Sequence, residues 1–380
     1  MASRSLRVIQ IVPSYFPATY WGGPIFSTKM ICDEVSKRPG FSVSVLTTDA
    51  AGPAVSQRVD SRGICFAYPV LFCRRIAGDS ISLGLFSKLY RGISAADVVH
   101  ITATFSFPTL PALLMARLLR KPVVWSPRGA VQATDGWQSS PRQFPKQLFL
   151  KVARKIATSQ LTIHVTSECE RAATQRYFPG VDFAIIPNGV KLPNLVRETR
   201  RGDVSLNLMF LGRVHPQKGV ERLLEAMNNL PTGVSLDIYG TGDPAYLEHI
   251  RRISVVFSGR VRLHGEIHEA EKCEAFRKAD LFVLPSFSEN FGIVIAESLA
   301  HGVPVVTTTA TPWADLGQRG CGLAIDAHSG DLSAAILRLA GQDLARMGAV
   351  GRRWIAEEFS PEKVGDAFAK LYRTKVAAFG

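Results

Sequence analysis

Short apolar runs rich in Val, Ile, Leu and Phe recur along the chain, separated by stretches of helical length. In the first half they are LRVIQIV (6–12), FSVSVLTT (41–48), ADVVHIT (96–102), KPVVWSP (121–127), LTIHVTS (161–167) and FAIIPNG (183–189). Their near-continuous apolarity predicts strands covered on both faces, as in a parallel sheet. Between them, FSTKMICDEVSKR (26–38) and PTLPALLMARLLR (108–120) read as helices. The pattern then restarts with SLNLMFLGR (205–213), VSLDIYGTGD (234–243), VRLHGEI (261–267), DLFVLPS (280–286) and VPVVTTT (303–309) as strands. GVERLLEAMNNL (219–230), EAEKCEAFRKA (269–279) and GIVIAESLAHG (292–302) are the helices predicted there. Such alternation implies the α/β class with parallel, doubly wound sheets. Two series predict two Rossmann-like domains, 1–190 and 204–359, with a Pro-containing basic linker at 191–203. A helix over 360–380 is expected to cross back to the first domain. Ligands of such sheets lie beyond the carboxyl ends of the strands, so the two domains are expected to face each other across a cleft.

Length and composition agree with a folded two-domain chain: 380 residues, 46% hydrophobic and 20% charged. No apolar run approaches the roughly 18 residues that span a bilayer. The opening LRVIQIV, ended by Pro13, reads as a first strand and not as a signal peptide. Six cysteines without a C-x-x-C pair fit free thiols in a reducing cytoplasm. Charge changes the picture more. Residues 1–190 hold 22 Lys/Arg against 10 Asp/Glu, and residues 191–380 hold 23 against 22. Nearly all of the +13 net charge therefore belongs to the first domain. Either that domain faces something anionic, or solubility charge falls on one side of the chain.

The stretch PSFSENFGIVIAESLAHGVPVV (285–306) holds Glu289 and Glu297, with seven residues between them. Glu289 precedes a predicted helix start at Gly292, where phosphate is favoured by free N–H groups and the helix dipole. Carboxylates at this spacing suit hydroxyl-bearing ligands, because one carboxylate accepts from two vicinal hydroxyls. The alternative is a capping region with Glu297 paired to an arginine. The surrounding text resembles the E-x7-E segment of glycosyltransferase family four, the retaining GT-B group. FLGRVHPQKGVERLLEA (210–226) resembles that family's donor-phosphate segment, and PSYFPATYWGGPIFSTKMICDEV (13–35) its Gly-Gly loop. TSECERAATQRYFPGVDFAIIPNGVKLP (166–193) matches the close of its first domain.

The resemblance implies a GT-B fold and a hexosyltransferase. It casts Glu289, Arg213, Lys218 and Arg128 as catalytic residues. Gly22, Gly23, Gly265, Ile267, Asn290, Phe291, Gly292 and Glu297 become donor-binding residues. Arg213 and Lys218 would grip the diphosphate, whose negative charge grows as the glycosidic bond breaks. Gly265 and Ile267 would lie near the nucleotide base, whereas His264 reads as a loop histidine. Arg128, in SPRG, stands where many relatives carry a histidine; His100 reads as the end of a buried strand and a poor substitute. No Asp-x-Asp occurs, so a metal-independent site without a cofactor is expected. The expected partners are a UDP- or GDP-sugar and a glycan acceptor, lipid-linked or of the lipopolysaccharide or exopolysaccharide type. A sugar-nucleotide epimerase is the alternative enzyme. A nucleic-acid-binding role finds no recognition motif.

SSPRQFPKQLFLKVARKIATSQL (139–161) has five Lys/Arg and no acid. Leu148, Phe149, Val152 and Ile156 recur at helical spacing, with Lys146, Lys151, Arg154 and Lys155 around them. Two readings follow: a basic amphipathic helix on an anionic membrane surface, or a domain helix with its stripe on the core. The first implies a cytoplasmic protein peripheral to the inner face of the cell membrane.

Overall fold

A computed structural model describes residues 4–131, 143–157, 160–194, 196, 205–257 and 259–379. Most of the 191–203 linker stretch lies outside the described residues. The chain forms two compact units, Met1–Gly189 with Pro361–Gly380, and Val190–Ser360.

The first unit runs β1 (Leu6–Ser14), α1 (Gly23–Ser36), β2 (Phe41–Thr48), β3 (Val70–Cys73), α2 (Leu83–Ala95), β4 (Val98–Thr102), α3 (Thr109–Leu118), β5 (Val123–Ser126), α4 (Gln143–Ile156), β6 (Leu161–Val165), α5 (Glu168–Gln175) and β7 (Asp182–Ile185). Its strands form one parallel sheet in the order β3-β2-β1-β4-β5-β6-β7. Two apolar clusters hold it together. One packs α2, α3 and α4 on the sheet through Leu85, Leu89, Ile93, Leu113 and Leu150. The other includes Ile31, Val35, Phe368 and Tyr372. Burying one such side chain stabilises by about 1.5–3 kcal/mol.

The second unit runs β8 (Leu206–Leu211), α6 (Val220–Met227), β9 (Val234–Tyr239), α7 (Pro244–Ser254), β10 (Val261–Gly265), α8 (Glu269–Lys278), β11 (Leu281–Leu284), α9 (Ile293–Ala300), β12 (Val305–Thr308), α10 (Leu316–Arg319), β13 (Gly322–Ile325), α11 (Leu332–Ala340) and α12 (Leu344–Glu358). Its parallel sheet has the order β10-β9-β8-β11-β12-β13. β11 and β12 are buried throughout, which is why they read as continuous apolar runs.

The last helix, α13 (Pro361–Ala377), packs along α1 of the first unit. Arg38 fastens it, donating from Nε to Asp366 Oδ1 at 2.7 Å and from Nη2 to the Glu362 carbonyl at 2.6 Å.

Candidate functional site

In the second unit the strand order reverses between neighbours β8 and β11. Ligands of doubly wound sheets bind outside the carboxyl ends at such a point. The loops that leave these strands, 212–219 and 285–292, meet there. Phe287 N–H donates to the Gln217 carbonyl at 2.9 Å. Lys218 Nζ donates to Glu289 Oε1 in a close ion pair, and Ser286 Oγ donates to the same oxygen at 2.9 Å. Glu289 is 9% exposed, and its Oε2 takes no hydrogen bond among the described residues. Arg213 stands exposed in the first loop with no hydrogen bond or ion pair there.

Glycines allow this closeness. Gly219 has φ +71, and a Cβ on it would overlap the Pro285 carbonyl. Gly240 has φ +132, and a Cβ there would overlap the Gly212 carbonyl. The IYGTGD loop is thus a brace under the 212–219 loop, and Val214 N–H donates to Thr241 O at 2.9 Å.

Gly292 caps α9 at φ +70 without a side-chain hydrogen bond. Glu289 lies in the loop before the helix, so the eight steps to Glu297 are not all helical. Glu297 sits in the second turn of α9, paired with Lys272 of α8 at 2.8 Å. Burial holds its carboxyl above the ordinary value, against the pull of Lys272. Asn290 is half-buried beside Glu289. The Phe291 ring is 5% exposed and packs edge-on to Trp313 at 5.4 Å. Its side chain anchors the loop, and the Trp313 indole N–H donates to its carbonyl. Ile267 likewise packs partly buried on the core, whereas Gly265 has φ +79 and open space above its Cα. His264 belongs to β10, not to a loop; it stacks on Tyr239 at 4.4 Å and pairs with Asp237 at 2.6 Å.

In the first unit, Gly22 (φ +67) and Gly23 open α1, and nothing lies where their side chains would stand. Arg128 follows β5 at φ +57, a left-handed backbone that costs a non-glycine residue roughly 1–2 kcal/mol. Its Nη1 donates to Asn188 Oδ1 at 2.8 Å. Its Nε and Nη2 are buried without a hydrogen-bond partner among the described residues. Each unmet buried donor costs about 1–3 kcal/mol. Burial also lowers the guanidinium pKa to about 10, so it stays protonated at neutral pH.

His100 is fully buried within β4 and belongs to a chain of hydrogen bonds. His164 can only donate to the Ile186 carbonyl, from Nε2 at 2.9 Å. Burial keeps this ring neutral, so its Nδ1 accepts from Ser126 Oγ at 2.7 Å. Ser126 then accepts from His100 Nε2 at 2.7 Å, and His100 Nδ1 accepts from the Tyr372 hydroxyl at 2.6 Å. This direction is the one two neutral imidazoles can sustain. Burial agrees, holding His100 well below its ordinary pKa and His164 down to about 3.

Residues 139–142 of the basic stretch lie outside the described residues. Residues 158 and 159 lie outside them too, and Gln143–Ile156 form α4, whose apolar stripe is split. Phe149 and Ile156 pack on the core with Leu150 and Ala153, whereas Leu148 and Val152 are exposed together with Phe144. Lys151, Arg154 and Lys155 are exposed; Lys146 is half-buried, 5.6 Å above the Phe105 ring, and is no free surface cation. α2 packs on α3, and α3 on α4. α2 exposes Leu83, Phe86 and Tyr90, and α3 exposes Leu114 and Leu118. None of these three helices contains Asp or Glu.

Two family models match the chain: a glycosyl transferase 4-like domain over residues 22–189 and glycosyl transferases group 1 over residues 205–342. Together they span both units. The chain belongs to the family-four-like glycosyltransferases. This glycosyltransferase is 26% identical over 365 residues to a phosphatidyl-myo-inositol mannosyltransferase of Mycolicibacterium smegmatis, covering 91% of this chain and 88% of that protein. It is 31% identical over 172 residues to a lipopolysaccharide core biosynthesis glycosyltransferase of Rhizobium meliloti, covering 44% and 50%. A sucrose-phosphate synthase structure from Thermosynechococcus elongatus superposes with a TM-score of 0.74 at 21% identity, over 98% of this chain and all of that one. The glycosyltransferase therefore has the GT-B fold of two parallel-sheet Rossmann-like domains.

The structure brings Lys218 and Glu289 together and gives Glu297 a different partner. Sequence reasoning missed Ser286, Lys272 and Asn188, which hold Glu289, Glu297 and Arg128. Ser286 was within reach, three residues before Glu289 in the same segment. Asn188 lies 60 residues from Arg128, and no local pattern joins them. Among the described residues no group of three or more His, Cys, Asp or Glu is arranged to hold a metal ion, and no helix is long and apolar enough to cross a membrane.

Proposed function

We propose that this glycosyltransferase is a retaining hexosyltransferase. It moves a hexose from a nucleoside diphosphate sugar, UDP- or GDP-linked, to a glycan on a lipid carrier, a lipid core or an exopolysaccharide precursor. The observation that carries the reading is the Lys218–Glu289 pair at the switch point of the second sheet, beside the open N-terminus of α9. Arg213 and Lys218 take the diphosphate, with the helix dipole in support. Glu289 is held through Oε1, so Oε2 accepts from hydroxyls of the transferred sugar. Glu297 accepts from the ribose hydroxyls, exchanging its Lys272 contact for them.

The chemistry needs no metal in this reading. The anomeric C1–O bond to phosphate breaks while the acceptor oxygen bonds C1 on the same face. The acceptor's proton passes to the departing phosphate oxygen. Fixed cations stabilise the charge that builds there. Activity is expected to survive EDTA; complete, Mg²⁺-reversible loss would contradict the metal-free step.

The α2–α3–α4 face supports action at a membrane. Its exposed leucines and aromatics are interleaved with Lys88, Arg91, Lys151 and Lys155, and the three helices contribute no acid. Apolar side chains among cations fit an anionic lipid surface. Two relatives named for phosphatidylinositol and lipopolysaccharide chemistry favour a lipid-borne acceptor. Thermal shift with UDP-, GDP- and ADP-sugars tests the donor class. Stabilisation by one nucleotide series is expected, and no response to any of them would sink the proposal.

A further inference from the structure

The unpartnered nitrogens of Arg128 form one functional edge. In a guanidinium, Nε–H and one Nη–H point the same way in one plane, spaced for two oxygens of a carboxylate or phosphate. In Arg128 the Asn188 contact occupies Nη1, and the edge left over is Nε with Nη2. The neighbouring acid does not fill it. Glu170 Oε1 accepts from Gly129 N–H at 2.7 Å, and Oε2 accepts from the Thr166 N–H and hydroxyl at 2.7 and 2.8 Å. The nearby imidazoles offer no acceptor either, since all four ring nitrogens of His100 and His164 are engaged. The residue also holds a left-handed backbone at the carboxyl end of β5, the end from which ligands approach such a sheet.

We propose that Arg128 is the centre of an oxyanion subsite in the first unit, binding a two-oxygen anion through its Nε/Nη2 edge. The anion is a carboxylate carried by a uronosyl residue or a phosphate group. The subsite rests on the glycosyltransferase reading only for the molecule that brings the anion. A planar fork explains why arginine stands here: a lysine offers charge without paired donors.

Isothermal titration of the full chain tests it. The free probes are glucuronate, galacturonate and inorganic phosphate, with glucose as the neutral control. The donor probes are UDP-glucose against UDP-glucuronate, and GDP-mannose against GDP-mannuronate. R128Q is expected to weaken the anion that fills the site at least tenfold and leave glucose unchanged. If the source is a carboxylate, wild type prefers the uronosyl member of a pair and R128Q loses that preference. If the source is phosphate, R128Q weakens phosphate and both members of a pair alike. R128K is expected to bind as poorly as R128Q; wild-type affinity in R128K would overturn the fork. Circular dichroism checks folding. N188D, which sets a carboxylate against Nη1, offers a second route and is expected to weaken the same anion. The proposal fails if no anion probe binds the wild type, or if R128Q and N188D both bind every probe like wild type. Absence of sugar-nucleotide binding with free-anion binding intact would instead count against the donor reading.

Discussion

Glu289 and Glu297 belong to one segment but have different tasks in the proposed mechanism. Glu289 touches the sugar whose charge changes on the way to the transition state, so Glu289→Ala is expected to lower kcat. Ribose contacts are alike in ground and transition states, so Glu297→Ala is expected mainly to raise the donor KM. Steady-state kinetics on folded variants decide this; wild-type turnover in Glu289→Ala would remove it from the site. Lys218→Ala should cost about 2–4 kcal/mol of transition-state stabilisation, as loss of a preorganised donor does. Glu297 adds a pH signature. Burial already raises its pKa, and Lys272 is the cation that opposes the rise. Removing that cation in Lys272→Met should push the carboxyl further up, so that it neutralises in milder acid. The donor KM of Lys272→Met is expected to climb as pH falls from 7 to 5 more steeply than in wild type. Parallel profiles would show that Glu297 does not meet the donor as a carboxylate.

At the level of elements, the long apolar runs were legible and the short edges were not. β2 spans the residues expected, because FSVSVLTT is apolar, β-branched and bounded by turn signals. β3 and β13 were missed: each has four residues, β3 is half-exposed at a sheet edge, and β13 opens on a glycine. Glu289 and Lys218 were legible because the family's motifs are local, whereas pairs such as Arg128–Asn188 are made only by the fold. Glycine placement has a testable cost. Gly219→Ala forces a Cβ against the Pro285 carbonyl from a left-handed backbone. It should destabilise the second unit by about 1–3 kcal/mol and part Lys218 from Glu289. Denaturant unfolding should show the first effect, and a drop in kcat the second. The three-helix face is tested by vesicle co-sedimentation. Replacing Phe144 and Leu148 with Ser should reduce binding to anionic vesicles, and raised salt should reduce what remains. Failure of the wild type to bind at low ionic strength would remove the membrane reading.

Across the whole molecule, acid acts on the first unit through two buried histidines. His100 and His164 are neutral in the folded first unit, with pKa values below the ordinary 6.5. Below pH 6.5 the unfolded chain binds more protons than the folded one. Their contribution is therefore complete above pH 6.5 and is lost as pH falls toward about 3. Each histidine can steepen the loss by about 1.4 kcal/mol per pH unit. Calorimetry between pH 7 and 4 should show a first-unit transition that falls on their account, and a Tyr372→Phe variant should start from a lower Tm. The return of α13 has a consequence for how the protein is made. Val364, Phe368 and Tyr372 help close the core around α1, yet they are encoded after the whole of the second unit. During synthesis the second unit is contiguous and can fold as it emerges. The first unit, though translated earlier, lacks these side chains in its core until residues 361–377 follow. Of the two units, the one translated earlier is thus the one whose core is completed later.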